Sequence, residues 1–365
     1  ANRLNKVVRK EDTVGRLGGD EFIVLLRRLS DDHNALTIAE NLLKTFREPF
    51  KIDGRELLLT LSIGIAICPD NGQCASDLLR NADTAMYQAK ALGRNTYSFF
   101  TKEMNISMLR RLEIEEQMHG ALERNEFEVY YQPQFDVEKA NIIGAEALLR
   151  WHNLELGNIG PDEFIPIAEH TGLIVPIGQF VVKQALSFLN EWQGLHQRNY
   201  RVAVNLSPRQ FRDKKLLSFI QKSLNDANVT ADSLELEITE GVLMIGQSYI
   251  DEALGELNKL GIKLSMDDFG TGYSSLSYLR QYSFDVLKID RSFIQGIPQN
   301  EEDCELVNAI IAMAQSLGLK VVAEGVETKE QVELLSTLGC DYLQGYFFSK
   351  PVPPSQLIDF SASYL

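Results

Sequence analysis

A chain of 365 residues is long enough for about two domains, each with a core of its own. With 44% hydrophobic and 24% charged residues and no polar low-complexity tract, it is neither wholly disordered nor a stapled mini-protein. The net charge of −15 is uneven, with 14 Lys and Arg against 13 Asp and Glu in residues 1–100 and 22 against 38 in residues 101–365, which argues against a duplex nucleic-acid partner and implies that any bound phosphate needs added cations.

No stretch approaches the roughly 18 apolar residues of a membrane span, and Ala1–Lys6 lacks a signal-peptide core. The expectation is a cytoplasmic location for these domains, with any membrane anchor left to a longer parent. Cys68, Cys74, Cys304 and Cys340 show no CxxC spacing, so neither a zinc site nor a disulfide framework is indicated.

In chain order, residues 14–26 place two apolar runs about a Gly-Gly-Asp turn, a hairpin signal. A helical spacing follows (Leu36, Ala39, Leu42, Leu43, Phe46), then a strand through Leu59–Ile67 and a helix over about residues 76–92, stopped by Gly93. Residues 101–120 are polar and periodic and predict an amphipathic connecting helix. The expected division is a first domain over 1–100, this linker, and a second domain over 104–365.

The second part alternates strand and helix. Strands are expected over Val129–Phe135, Ile142–Leu149, Val202–Leu206, Leu234–Ile238, Lys263–Met266, Val286–Ile289, Lys320–Ala323 and Tyr342–Phe347. Helical patterns fill most gaps, as in Phe180–Trp192 and Glu305–Leu317. Eight such units predict a (β/α)8 barrel, with a doubly wound open sheet as the rival. Asp136–Asn141 is too short for a helical crossover, so the first strand pair is expected to be antiparallel.

Polar residues sit where these strands end: Glu146, Asn205, Glu237, Asp267 with Asp268, Lys288, Glu324 and Gln344. Any one alone is most simply a solvated side chain. Seven consecutive strands each contributing one indicates a site at the carboxyl-terminal face. Carboxylates about 4 Å apart repel by about 4 kcal/mol per pair at an effective dielectric of 20, so positive charge must sit among them. Oxygen ligands select hard ions, and two Mg2+ or Mn2+ would balance Glu146, Glu237, Asp267 and Asp268. That set suits phosphodiester hydrolysis, with Glu324 as general base and Lys288 neutralising developing charge or holding the nucleophile.

These residues, in order, give the second domain a resemblance to the EAL family of cyclic di-GMP phosphodiesterases. The matching runs are Glu146-Ala147-Leu148, Asn205-Leu206-Ser207, Glu237-Ile238-Thr239-Glu240, Asp267-Asp268-Phe269-Gly270, Lys288-Ile289-Asp290, Glu324-Gly325-Val326-Glu327 and Gln344-Gly345-Tyr346. The resemblance implies a TIM-like barrel with an antiparallel first strand and linear pGpG as product. It assigns metal ligation to Glu146, Asn205, Glu237, Asp267 and Asp268, water placement to Lys288 and proton abstraction to Glu324. Gln132, Arg150 and Gln344 become substrate or supporting groups, and Glu240 and Glu327 support the loop Phe269–Leu276. A homodimer through this domain is also implied.

The first domain resembles a GGDEF diguanylate cyclase through Gly18-Gly19-Asp20-Glu21-Phe22, Lys90 and Gly93-Arg94-Asn95. About 60 residues of that family's pattern have no counterpart before Ala1, so a partial mixed α+β domain with a regulatory role is expected. Gly18 and Gly19 let backbone approach a phosphate, Asp20 or Glu21 offers a magnesium ligand, and Lys90 and Arg94 reach terminal phosphates of GTP; a plain hairpin turn is the other reading. Arg9 and Asp12 stand at the position of the family's RxxD product-inhibition site. Two other functions stay open: a cyclic di-GMP receptor without turnover, and a bifunctional cyclase and phosphodiesterase in a longer parent.

Overall fold

In the computed structural model, every residue is described except 28–31, 53, 240–241, 243–247, 271–278, 280 and 365, and the chain separates into two units, Ala1–Glu113 and Ile114–Leu365. The first unit forms three two-stranded ladders. β1 (Thr13–Gly18) and β2 (Glu21–Leu25) are antiparallel, as are β3 (Phe50–Ile52) and β4 (Arg55–Leu57), while β5 (Ile63–Ile65) and β6 (Tyr97–Phe99) are parallel. Helices Asp32–Phe46 and Ala75–Ala91 follow the apolar spacing of their sequences. The clustered core is small: Leu4, Leu42 and Phe46, with Val14, Ile38, Phe50 and Ile63 packed against it.

The strand expected over Leu59–Ile67 is shorter than its apolar run suggests. Only Ile63–Ile65 is laddered, because β6 offers three partners, and Leu58 and Leu59 stand 70% and 49% exposed. An extended apolar run becomes a strand only where a neighbour satisfies its backbone groups. Helix Lys102–Met118 carries the chain across the boundary between the units, with Ile114 and Met118 buried.

The second unit is a closed barrel. Its strands are β7 (Phe127–Asp136), β8 (Asn141–Asn153), β9 (Gly157–Ile159), β10 (Arg201–Asn205), β11 (Leu234–Thr239), β12 (Lys263–Phe269), β13 (Val286–Ile289), β14 (Lys320–Ala323) and β15 (Tyr342–Leu343). From β8 the parallel ladder runs through β10, β11, β12, β13 and β14 to β15. It closes through β7, which is antiparallel to both β15 and β8, and β9 is appended to β8 outside the ring. The short β7–β8 turn, with Asp136 paired to Asn141, is the reason the first strand is reversed.

Alternation along each strand divides the residues between helices and lumen. Val202, Val204, Leu236, Leu264, Leu287 and Val321 are at most 1% exposed and belong to one core with Leu186, Leu189, Ile220, Leu254 and Ile311 of the surrounding helices. Burying each such side chain contributes about 2 kcal/mol. The eighth strand differs from the expected Tyr342–Phe347, since only Tyr342 and Leu343 are laddered. At Gly345 the chain turns against Val326, which exchanges backbone hydrogen bonds with Gln344 and Phe347 instead.

Candidate active site

Parallel register brings the expected polar residues to one inner rim. Asn205 pairs with Glu237, Thr239 with Asp267, Lys288 with Val322 and Ala323 with Leu343, while antiparallel pairing sets Gln132 beside Glu146. Glu237, Lys288, Glu146, Asp267 and Gln344 are all buried. Asn205 stays exposed at the mouth while its amide donates to Glu146 Oε1 at 2.8 Å.

Lys288 is the hub. Its Nζ lies 2.6 Å from Glu324 Oε1, 2.7 Å from Glu237 Oε1, 3.4 Å from Asp267 Oδ1 and 3.5 Å from Glu146 Oε2, with 1% of the side chain exposed. Burial would discharge the amine, but these four carboxylates hold its pKa well above the ordinary value. Burial, then the neighbouring Glu146 charge, pushes Glu237 well up; Glu146 itself is kept low, against burial, by Lys288 and the Gln344 amide. Burial lifts Glu324 to about 8 against the pull of Lys288, and burial with the Asp267 charge lifts Asp268 to about 6.

Sequence neighbours normally point to opposite faces of a strand, so Asp267 and Asp268 need a local device to act together. The β12–β13 register shifts between Met266 and Phe269, and Asp268 adopts a left-handed φ of 54°. This bulge breaks the alternation, and the Asp268 N–H donates to Asp267 Oδ1 at 3.0 Å.

Among the described residues no group of three or more His, Cys, Asp and Glu is already arranged to hold a metal ion. The donor chemistry nevertheless fits hard cations. Four carboxylates (Glu146, Glu237, Asp267, Glu324) surround one ammonium, Asp268 adjoins them, and the buried Glu237 Oε2 has no hydrogen-bond donor among the described residues. Burial first, and then the neighbouring carboxylate charges, raise Glu237, Asp268 and Glu324, and two dications would offset the crowded negative charge.

An amide relay orients Glu146. Gln344 Nε2 donates to Glu146 Oε2 at 2.6 Å and to Gln132 Oε1 at 3.2 Å, and its own Oε1 accepts from Gln134 Nε2 at 3.0 Å. Gln134 was not singled out in the sequence, although it shares a strand face with Gln132, two residues away. Glu235, on the same strand face as Glu237 but not among the expected site residues, is buried, raised in pKa by burial, and paired with Arg201 Nη1 at 3.7 Å. Arg150 is partly buried, 5.6 Å from the Tyr130 ring, and burial lowers its pKa.

Other expected residues lie apart or outside the described region. Glu240 and most of the Phe269–Leu276 loop are outside it, and Glu327 is exposed. In the first unit Gly18, Gly19, Asp20, Glu21, Lys90 and Arg94 are all exposed, and Arg16 Nε braces the turn by donating to the Gly19 carbonyl at 2.9 Å. Both Asp12 oxygens accept backbone N–H groups, from Arg9 at 2.9 Å and Arg27 at 3.1 Å, while the Arg9 guanidinium lies 4.0 Å from Glu11. No described helix is long and apolar enough to cross a membrane.

The family model described as EAL domain matches residues 115–351, and that described as diguanylate cyclase, GGDEF domain, matches residues 1–96. The chain is 40% identical to the cyclic di-GMP phosphodiesterase NbdA of Pseudomonas aeruginosa, over 100% of this chain and 46% of that protein. It is 41% identical to the bifunctional diguanylate cyclase/cyclic di-GMP phosphodiesterase MucR of the same organism, over 98% of this chain and 52% of that protein. It thus spans about half the length of the curated relatives it matches. The solved PaMucR phosphodiesterase in its c-di-GMP complex is 40% identical, with a TM-score of 0.64, covering 67% of this chain and 99% of that one.

Proposed function

Because this chain belongs to the EAL domain family and joins that domain to a GGDEF domain, we propose that its barrel hydrolyses cyclic di-GMP to linear pGpG with the help of Mg2+ or Mn2+. The observation that carries this reading is the caging of the Lys288 ammonium by Glu146, Glu237, Asp267 and Glu324, a charge arrangement with no use in packing. Named relatives that are cyclic di-GMP phosphodiesterases support the substrate.

Glu146, Asn205, Glu237, Asp267 and Asp268 would hold the two ions, whose chemistry is to acidify water and withdraw charge from a phosphodiester. The chain's own groups do the rest. Glu324 takes the proton of the attacking water, and Lys288, 2.6 Å away, favours the ionised form of that base and places the water. Gln344 and Asn205 fix the two oxygens of Glu146, so the carboxylate needs no reorientation. Gln132 and Arg150, on adjacent strands β7 and β8, are assigned to the substrate.

The first unit, taken as residues 1–100 ahead of the linker, is assigned a regulatory role, its exposed Gly18–Glu21 turn with Lys90 and Arg94 offering groups for GTP. Assembly as a homodimer through the barrel belongs to the same proposal and is checked by light scattering with and without substrate. The deciding experiment is chromatography of cyclic di-GMP after incubation with the chain and magnesium, manganese, calcium or chelator. Release of pGpG with magnesium or manganese alone supports hydrolysis; tight binding without turnover in any of them replaces it with a receptor.

A further inference from the structure

The segment after β15 is pinned at both ends yet leaves two large rings in water. Gln344 reaches into the site, 2.6 Å from Glu146, and Gly345 lies so near Val326 that a Cβ would stand 2.1 Å from its carbonyl oxygen. Phe348 stacks on Phe135 with centroids 4.1 Å apart. Further on, Tyr131 and Val352 exchange backbone hydrogen bonds of 2.8 and 2.9 Å, and Gln132 Nε2 donates to the Ser349 carbonyl at 3.1 Å. Between these anchors Tyr346 and Phe347 are 57% and 42% exposed.

Single exposed rings are ordinary, but Tyr346 is not an isolated one. It follows Gln344 by two residues at the carboxyl end of β15, on the rim that carries the carboxylate cage. Lys350 Nζ lies 5.4 Å from its ring centroid. Phe347 is already engaged edge-on with Phe348 at 5.1 Å, leaving Tyr346 as the more exposed ring. A ring held between fixed anchors, with a cation beside it, offers a π-face to a base and positive charge to the adjoining phosphate.

We propose that Tyr346 stacks on one nucleobase of the substrate and thereby sets the preference for a cyclic dinucleotide over a simple phosphodiester. This rests on the phosphodiesterase reading above. Stacking of this kind is worth about tenfold or more in affinity per base.

The test compares wild type, Tyr346→Ala and Tyr346→Phe on cyclic di-GMP and on bis(p-nitrophenyl) phosphate, which has no nucleobase. The expected result is a KM for cyclic di-GMP about tenfold or more higher in Tyr346→Ala with kcat little changed, near-wild-type behaviour in Tyr346→Phe, and a matching fall in the ratio of kcat/KM values for the two substrates. An unchanged KM, an equal loss on both substrates, or a Tyr346→Phe as impaired as Tyr346→Ala overturns it. If wild type cleaves neither substrate, the hydrolase reading fails separately. Calorimetry then compares cyclic di-GMP binding by the same variants, and equal affinities, or no binding by any of them, overturn the stacking assignment.

Discussion

Lys288 and Lys90 carry the same ammonium in opposite settings. The first is buried in a closed barrel among four carboxylates within 3.5 Å; the second stands exposed near the end of helix Ala75–Ala91, in a unit whose described strands form two-stranded ladders. The acidic groups differ in the same way, Glu237 and Asp267 buried, Asp20 and Glu21 exposed at a hairpin turn. A closed ring of strands holds charges at fixed positions out of water, where each changes its neighbours' protonation. A two-stranded turn leaves its charged side chains in water, which screens them.

The strongest way to break this contrast is chelation. Removing divalent ions is expected to abolish cyclic di-GMP turnover, with magnesium or manganese restoring it, read by pGpG release. Glu324→Gln is expected to lower kcat by about 10²–10⁴ while binding survives. The base acts only when ionised, and its pKa near 8 in the ion-free protein is raised mainly by burial. Bound dications favour the carboxylate, so the ascending limb of the wild-type pH–rate profile should fall below pH 8.

Lys288→Met probes the cage itself. It leaves the surrounding carboxylates without their ammonium and should destabilise the metal-free protein by about 3–5 kcal/mol, with partial recovery on adding magnesium, measured by chemical unfolding. Glu126 gives a smaller effect at the same unit's periphery. It accepts from Arg124 Nε at 2.6 Å, Trp151 Nε1 at 2.9 Å and Asn153 Nδ2 at 3.0 Å, with its pKa lowered to about 2, first by the Arg124 bond. Glu126→Gln should cost about 2–3 kcal/mol. Because the folded pKa is depressed, the stabilisation is present above about pH 4.5 and is lost as pH falls towards 2 in wild type, and the variant should lack that dependence.

Asp20→Asn and Glu21→Gln should be the mildest, each within about 0.5 kcal/mol in unfolding, since both side chains are exposed. A larger loss at either position would show that the turn is packed more tightly than the contrast allows.

Much of the site was legible because strand alternation and a polar residue near the end of each strand are both sequence properties. Glu146, Glu237, Lys288 and Glu324 are marked that way, and the Lys288 amine lies within 3.5 Å of the other three side chains. Gln134 and Glu235 share that alternation but lie below the rim, so strand ends alone did not mark them. The last strand and the run Leu59–Ile67 were overread because apolar content does not report whether a partner strand is there to complete the ladder.

The sequence by itself determined the barrel, its reversed first strand and the identity of the converging charges, since period, turn length and residue type are local. Only the tertiary structure decided that Lys288 takes the centre of the carboxylates, that a register shift puts Asp268 in a left-handed conformation beside Asp267, and that Tyr346 is held out in water. Those outcomes depend on ring closure and on which distant strand supplies each hydrogen bond, and no window of sequence contains that information.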